Sequence, residues 1–175
     1  MKNSSITEDR FGLWFTIIII ILCLGVVAMI MAFSNREESS KQKITDMTSR
    51  EVALMCTTDM ATEFHIHPEI KIFAYGKEIL IPADTGITPT CMHSIHTHND
   101  MPIVHVEAQV QKDFTIGDFF AVWQKEFSKD QLMEYKRDEM DKIKVTVNGS
   151  EVDTYENTIL RDKDKIVISI EKSSK

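Results

Sequence analysis

Between Phe11 and Phe33 the chain carries no charged side chain: FGLWFTIIIIILCLGVVAMIMAF. A helix that crosses the hydrocarbon core of a bilayer needs about 20 apolar residues, and this run supplies them. Only a helix closes its own backbone hydrogen bonds in lipid, so the β-branched stretch Ile17–Ile21 does not argue for a strand here. Trp14 sits where an interfacial anchor is expected. A cleaved signal peptide fits less well. The run is too long for a signal core, Glu8 and Asp9 offset Lys2 and Arg10, and no small-x-small cleavage site follows. The sequence therefore predicts a single-pass membrane protein. Its expected parts are a tail (1–10), a transmembrane helix (11–33), a polar spacer (34–44) and a globular domain (45–175).

Flanking charge does not set the orientation, because Lys2 and Arg10 on one side face Arg36, Lys41 and Lys43 on the other. Cysteine usage favours a domain outside the cytoplasm. Cys23 lies in the apolar run, leaving Cys56 and Cys91 in the remainder, and two cysteines in a small exported domain usually bridge. A reduced pair in the cytosol is the alternative. The formal net charge is −7 with no basic stripe, which argues against nucleic acid as a partner. The partners expected are the lipid bilayer and a membrane protein complex.

Patterning after the spacer predicts an α+β domain. Thr45 or Thr48 can cap a short helix within Thr45–Met60, with Glu51 completing a capping box after Thr48. Glu69–Ile81 (EIKIFAYGKEILI) has the alternation and central Tyr-Gly-Lys turn of a hairpin. Ile103–Val110 is a strand with Val104 and Val106 on one face and His105 and Glu107 on the other. Thr115–Phe127 is a helix with Asp118 near its start, and Phe119, Phe120 and Trp123 on the apolar face form core. Lys144–Val152 turns at Asn148-Gly149, the strongest short hairpin signal, and Lys165–Glu171 is a closing strand. The expected architecture is a small mixed sheet with one packed helix and a β-grasp-like ending.

All six histidines fall between His65 and His105: His65, His67, His93, His96, His98 and His105. Two pairs have His-x-His spacing, and in an extended chain residues two apart share a face, so one pair can reach one ion. Imidazole suits zinc, copper, iron and nickel. Three histidines with an open position make a site of catalytic type, and four closed ligands a structural one. The expected site is His96, His98 and His105, with His65, His67 or Glu107 as fourth group. Copper and zinc are the candidate ions, and affinity is expected to fall below about pH 6.5 as imidazole protonates. Cys91 and Met92 add soft ligands if Cys91 is reduced. The opposing reading is that the histidines tie polar loops together by hydrogen bonds, with His96-Thr97-His98-Asn99-Asp100 such a loop. A cupin is rejected for want of its following Glu and spaced glycines. Asp162 and Asp164 lack the companions of a calcium loop, and Asn148-Gly149-Ser150 is explained by its turn without a glycan.

The motifs His65-x-His67-Pro68, Ile81-Pro82-Ala83, His96-Thr97-His98, Ile103-Val104-His105-Val106-Glu107 and Phe114-Thr115-Ile116-Gly117-Asp118-Phe119-Phe120 together resemble an uncharacterised family of archaeal and bacterial single-span membrane-anchored domains. Its pattern is His-Thr-His-Asp, then Ile-His-Val-Glu, then Phe-Thr-Leu-Gly-x-Phe-Phe. The resemblance covers about residues 60–171 and implies that the histidines belong to one site. Here Asn99-Asp100 stands for the family's Asp, and Met101-Pro102 for its glycine stretch.

Three functions follow: a membrane-tethered module that binds copper or zinc, an accessory interaction subunit with structural histidines, and an enzyme. The last is disfavoured because no nucleophile and base are paired.

Overall fold

Two hairpins and one closing strand build the main sheet. The computed structural model describes residues 5–58 and 62–173, with side chains of the first helix from Gly12 onward. Residues 1–4 of the expected tail, 59–61 (with Met60 of the expected Thr45–Met60 segment) and 174–175 lie outside the described residues. In chain order the elements are α1 (Ser5–Asp46), α2 (Ser49–Leu54), β1 (Cys56–Thr57), β2 (Phe64–Ile66), β3 (Glu69–Ala74), β4 (Lys77–Ile79), β5 (Met92–His93), β6 (Ile95–His96) and β7 (His105–Ala108). There follow α3 (Ile116–Val122), β8 (Phe127–Ser128), β9 (Gln131–Leu132), β10 (Tyr135–Lys136), β11 (Asp141–Val147), β12 (Ser150–Val152) and β13 (Lys165–Lys172).

The chain divides into two units, Met1–Lys43 and Ile44–Lys175. In the first, α1 is long and apolar enough to cross a membrane, and none of its side chains from Gly12 to Phe33 is buried in protein.

In the second unit the five-stranded sheet runs β12-β11-β13-β3-β4. Strands β13 and β3 pair in parallel at the centre, and the remaining pairs are antiparallel. Numbered within the sheet this is 4-3-5-1-2, the β-grasp order, so the domain is α+β as its patterning predicts. Alternation chooses the face: Ile166, Ile168 and Ile170 are buried while Val167 and Ser169 are only partly so. They join one core with Ile70 and Ile72 of β3, Ile143 and Val145 of β11, and Ile116, Phe119 and Phe120 of α3. At the β11–β12 turn Asn148 and Gly149 both take positive φ, 53° and 85°, as the two-residue hairpin turn demands.

Both short helices start with capping boxes, Thr48 with Glu51 and Thr115 with Asp118. Asp118 also accepts from Arg50 Nε at 2.6 Å, which ties α3 to α2. The helix α3 is shorter than the expected Thr115–Phe127. Gln124 adopts φ 59°, its N–H donates to the Ala121 carbonyl, and the Lys125 N–H donates to the Phe120 carbonyl. That is the Schellman stop with glutamine where glycine is usual, so the sequence gives no warning of it. Trp123 falls at the stop and is half-buried, whereas Phe119 and Phe120 are fully buried. Phe119 and Phe120 are thus buried as expected, and Trp123 packs against the same core only partly buried.

Candidate metal centre

The histidines gather on a second, three-stranded antiparallel sheet, β2-β7-β6. Register does the gathering. His65 of β2 lies opposite Glu107 of β7, and His96 of β6 lies opposite His105 of β7. Directly opposed residues share a face, so His65, Glu107, His105 and His96 stand on one side. The alternate set, Ile66, Val106 and Ile95, is likewise in register, and all three are buried in the core. His67 and His98, two residues on from His65 and His96, bring their rings to the same cluster. Ring centroids lie 4.4 Å apart for His65 and His67, 4.8 Å for His67 and His105, 4.8 Å for His105 and His98, and 4.9 Å for His98 and His96.

Among the described residues, two groups of three could hold a metal ion. The ligating atoms of His96, His98 and His105 lie within 4.8 Å of one another, and so do those of His65, His67 and His105. Nitrogens sharing a tetrahedral ion through bonds of about 2.0–2.1 Å sit about 3.3 Å apart, so closure requires each pair to approach by at most about 1.5 Å. Small side-chain rotations provide that. The sixth histidine, His93, is not in either group. It contributes its backbone instead.

His96 is the most informative residue. It is fully buried, contrary to the reading of His96-Thr97-His98-Asn99-Asp100 as a polar loop, and Thr97 is buried beside it. The His96 Nδ1 lies 3.0 Å from the His93 carbonyl oxygen, to which it must donate. That fixes the tautomer and leaves the Nε2 lone pair, which is buried without a hydrogen-bond partner. Such a second-shell hydrogen bond from one imidazole nitrogen is what orients a metal-ligating histidine. Gly86 makes the burial possible. At φ +80° its missing Cβ would lie 2.5 Å from the Ile95 carbonyl oxygen and 3.3 Å from the His96 Cα, so only glycine lets this loop lie against β6. Thr85 and Thr97 stitch the loop down through reciprocal backbone and hydroxyl hydrogen bonds.

Burial pushes the His96 imidazole down to about 4; its hydrogen bond to His93 and the charge of Glu107 oppose the shift, and His98 and His105 add to it. His96 is thus neutral, the ligand form, throughout the physiological range. The unfolded chain takes up this proton near pH 6.5 and the folded apo protein only near 4, so the unfolded state binds more protons between them. The stability involved is present above pH 6.5 and lost as pH falls toward 4, in an amount on the order of 3 kcal/mol. Proton NMR of the apo protein checks this directly: the His96 ring resonance should not titrate above pH 5. A midpoint near 6.5 would show that the ring is not buried as described.

Carboxylates line the cluster. Glu107 Oε1 lies 3.0 Å from His65 Nε2 and 4.0 Å from His105 Nδ1. Asp100 Oδ2 accepts from His105 Nε2 at 3.0 Å. Asp162 Oδ1 accepts from the His67 backbone N–H at 3.0 Å and lies 3.8 Å from His67 Nδ1. Asp100 and Asp162 were not expected as site residues. Asp100 could have been found from its place between the second histidine pair and β7. Asp162 could not, since a loop far along the chain brings it here.

Cys56 and Cys91 form a disulfide, with Cα atoms 5.4 Å apart. It clamps β1 to β5, where Cys56 pairs with His93, the residue whose carbonyl holds His96. Cys91 is therefore not a soft ligand. Cys23 lies on α1 as a free thiol.

No family model, curated protein or solved structure matches this chain.

Proposed function

We propose that this protein is a membrane-anchored metal-binding module. Helix α1 is the anchor, the domain lies outside the cytoplasm, and one Zn²⁺ or Cu²⁺ ion binds to His96, His98 and His105. The observation that carries the reading is that His96, whose Nε2 is buried without a hydrogen-bond partner, groups with two further imidazoles, whereas His93, whose Nδ1 is also buried without a partner, belongs to neither group. A buried polar atom without a partner costs about 1–3 kcal/mol, and a metal ion removes that cost. The interaction-subunit alternative accounts for His65, His67 and His105, each of which already lies beside a carboxylate, but it leaves His96 unexplained. The donor set supports a borderline divalent ion, since the ligands are imidazoles and both domain cysteines are consumed in the disulfide. The disulfide also supports the external location, where such bonds persist. The exposed apolar run of α1 supports the anchor.

The test is titration of the detergent-solubilised full chain with Zn²⁺ and with Cu²⁺, with elemental analysis of the dialysed product. One equivalent is expected. His98→Ala should weaken binding by more than about 100-fold, beyond the range of second-shell losses. No stoichiometric metal in the wild type would leave the interaction-subunit reading as the better one.

A further inference from the structure

The two histidine groups are not independent, because both contain His105. Resting on the metal-binding reading, we propose that His65, His67 and His105 form a second, solvent-facing divalent-metal site that takes up the ion first and hands it to His96 and His98 through the shared ligand His105.

Exposure gives the path a direction. The His65 and His67 side chains are 46% and 38% exposed, His105 is 13% exposed and His96 is fully buried. From His65 through His67, His105 and His98 to His96 no step between ring centroids exceeds 4.9 Å. The imidazoles thus form an unbroken file from solvent to the buried end.

Sharing makes occupancy exclusive. A neutral imidazole offers one lone pair, so His105 serves one ion at a time. Asp100, as an ionised carboxylate, only accepts hydrogen bonds, which keeps a proton on His105 Nε2 and disfavours the doubly deprotonated bridge that two ions would need. Transfer is ligand exchange without change of oxidation state. An ion on His65, His67 and His105 gains the His98 nitrogen as it loses that of His65, then gains His96 as it loses His67. His105 stays bound throughout, and water fills open positions. The buried group is the thermodynamic end point because its His96 lone pair has no competing partner.

Charge favours uptake at the outer end. Glu107 lies 3.0 Å from His65, and Asp162 lies 3.8 Å from His67. Lys163, 3.7 Å from Asp162, offsets part of that charge. Clustered negative charge raises the local concentration of cations and their rate of arrival.

The experiment compares the wild-type full chain in detergent micelles with His65→Ala/His67→Ala and with His98→Ala, using Cu²⁺ and Zn²⁺ as probes. His67→Asn, which keeps a polar side chain, guards against misfolding of the double variant. The wild type should bind one equivalent. The double variant should keep that equivalent with affinity changed less than about tenfold, while its stopped-flow association rate drops by about tenfold or more. His67→Asn should slow association in the same sense. His98→Ala should still bind one ion, more weakly, at the outer group. Unchanged association rates in both outer-group variants, two equivalents in the wild type, or no binding by His98→Ala would each overturn the handover while leaving the module a metal binder. No binding by any form would overturn the parent reading as well.

Discussion

Phe120→Ala is expected to remove about 3–5 kcal/mol, a large share of the roughly 5–15 kcal/mol that holds a domain together. Phe120 is 1% exposed. Its ring stacks on Phe127 with centroids 4.8 Å apart and lies 5.8 Å from both Phe119 and Trp123. Truncation removes the contact between α3 and the small meander that begins at β8, and leaves a cavity that neighbouring aromatic rings fill poorly. Trp123→Ala should cost distinctly less, since that indole already meets solvent at the Schellman stop. Urea unfolding of both variants tests the contrast. Equal losses, or a Phe120→Ala loss below about 1 kcal/mol, would mean that the helix is not seated as described.

Removing the disulfide should have an effect of similar size. The pair Cys56→Ser, Cys91→Ser opens a loop closed across a sequence separation of 35. The chain-entropy relation puts the loss at about 4 kcal/mol, through greater freedom of the unfolded chain. Unlike the Phe120 change, it should leave the core packing of α3 intact. The local effect falls on β1 and β5, hence on the His93 carbonyl that orients His96. Thermal unfolding of oxidised wild type against the double variant measures the difference. A loss below about 1 kcal/mol would mean that the pairing of β1 with β5 restrains this segment without the covalent bond.

Much of the fold is legible because it is local. Asn148-Gly149 specifies its own turn, the alternation of Val104 and Val106 with His105 and Glu107 specifies a two-faced strand, and Thr48 and Thr115 announce helices by reaching forward three residues. The metal candidates are legible for the same reason, since His-x-His is a period-two signal. What escapes is of two kinds. Strand β6 is two residues long, too short for any periodicity, so His96 looks like part of a loop although it is the most buried histidine. Asp162 and the overlap of two ligand groups at His105 depend on which segments pair at long range, and cross-strand register is not written in either strand alone.

The central parallel pair has a consequence for how this protein is made. β3 is synthesised early and its partner β13 late, with α3 and the second hairpin between them. At about 5–20 residues per second, on the order of ten seconds separates the two strands as they leave the ribosome. During that interval the Ile70–Ile72 edge of the first hairpin displays unpaired N–H and C=O groups along an apolar strand, the arrangement that recruits foreign strands. The main core cannot close until the last strand arrives, whereas the β2-β7-β6 sheet and the disulfide draw only on earlier residues. The histidine sheet therefore has its whole chain available first, but the core that buries Ile66, Ile95 and Val106 beneath it is completed only with β13.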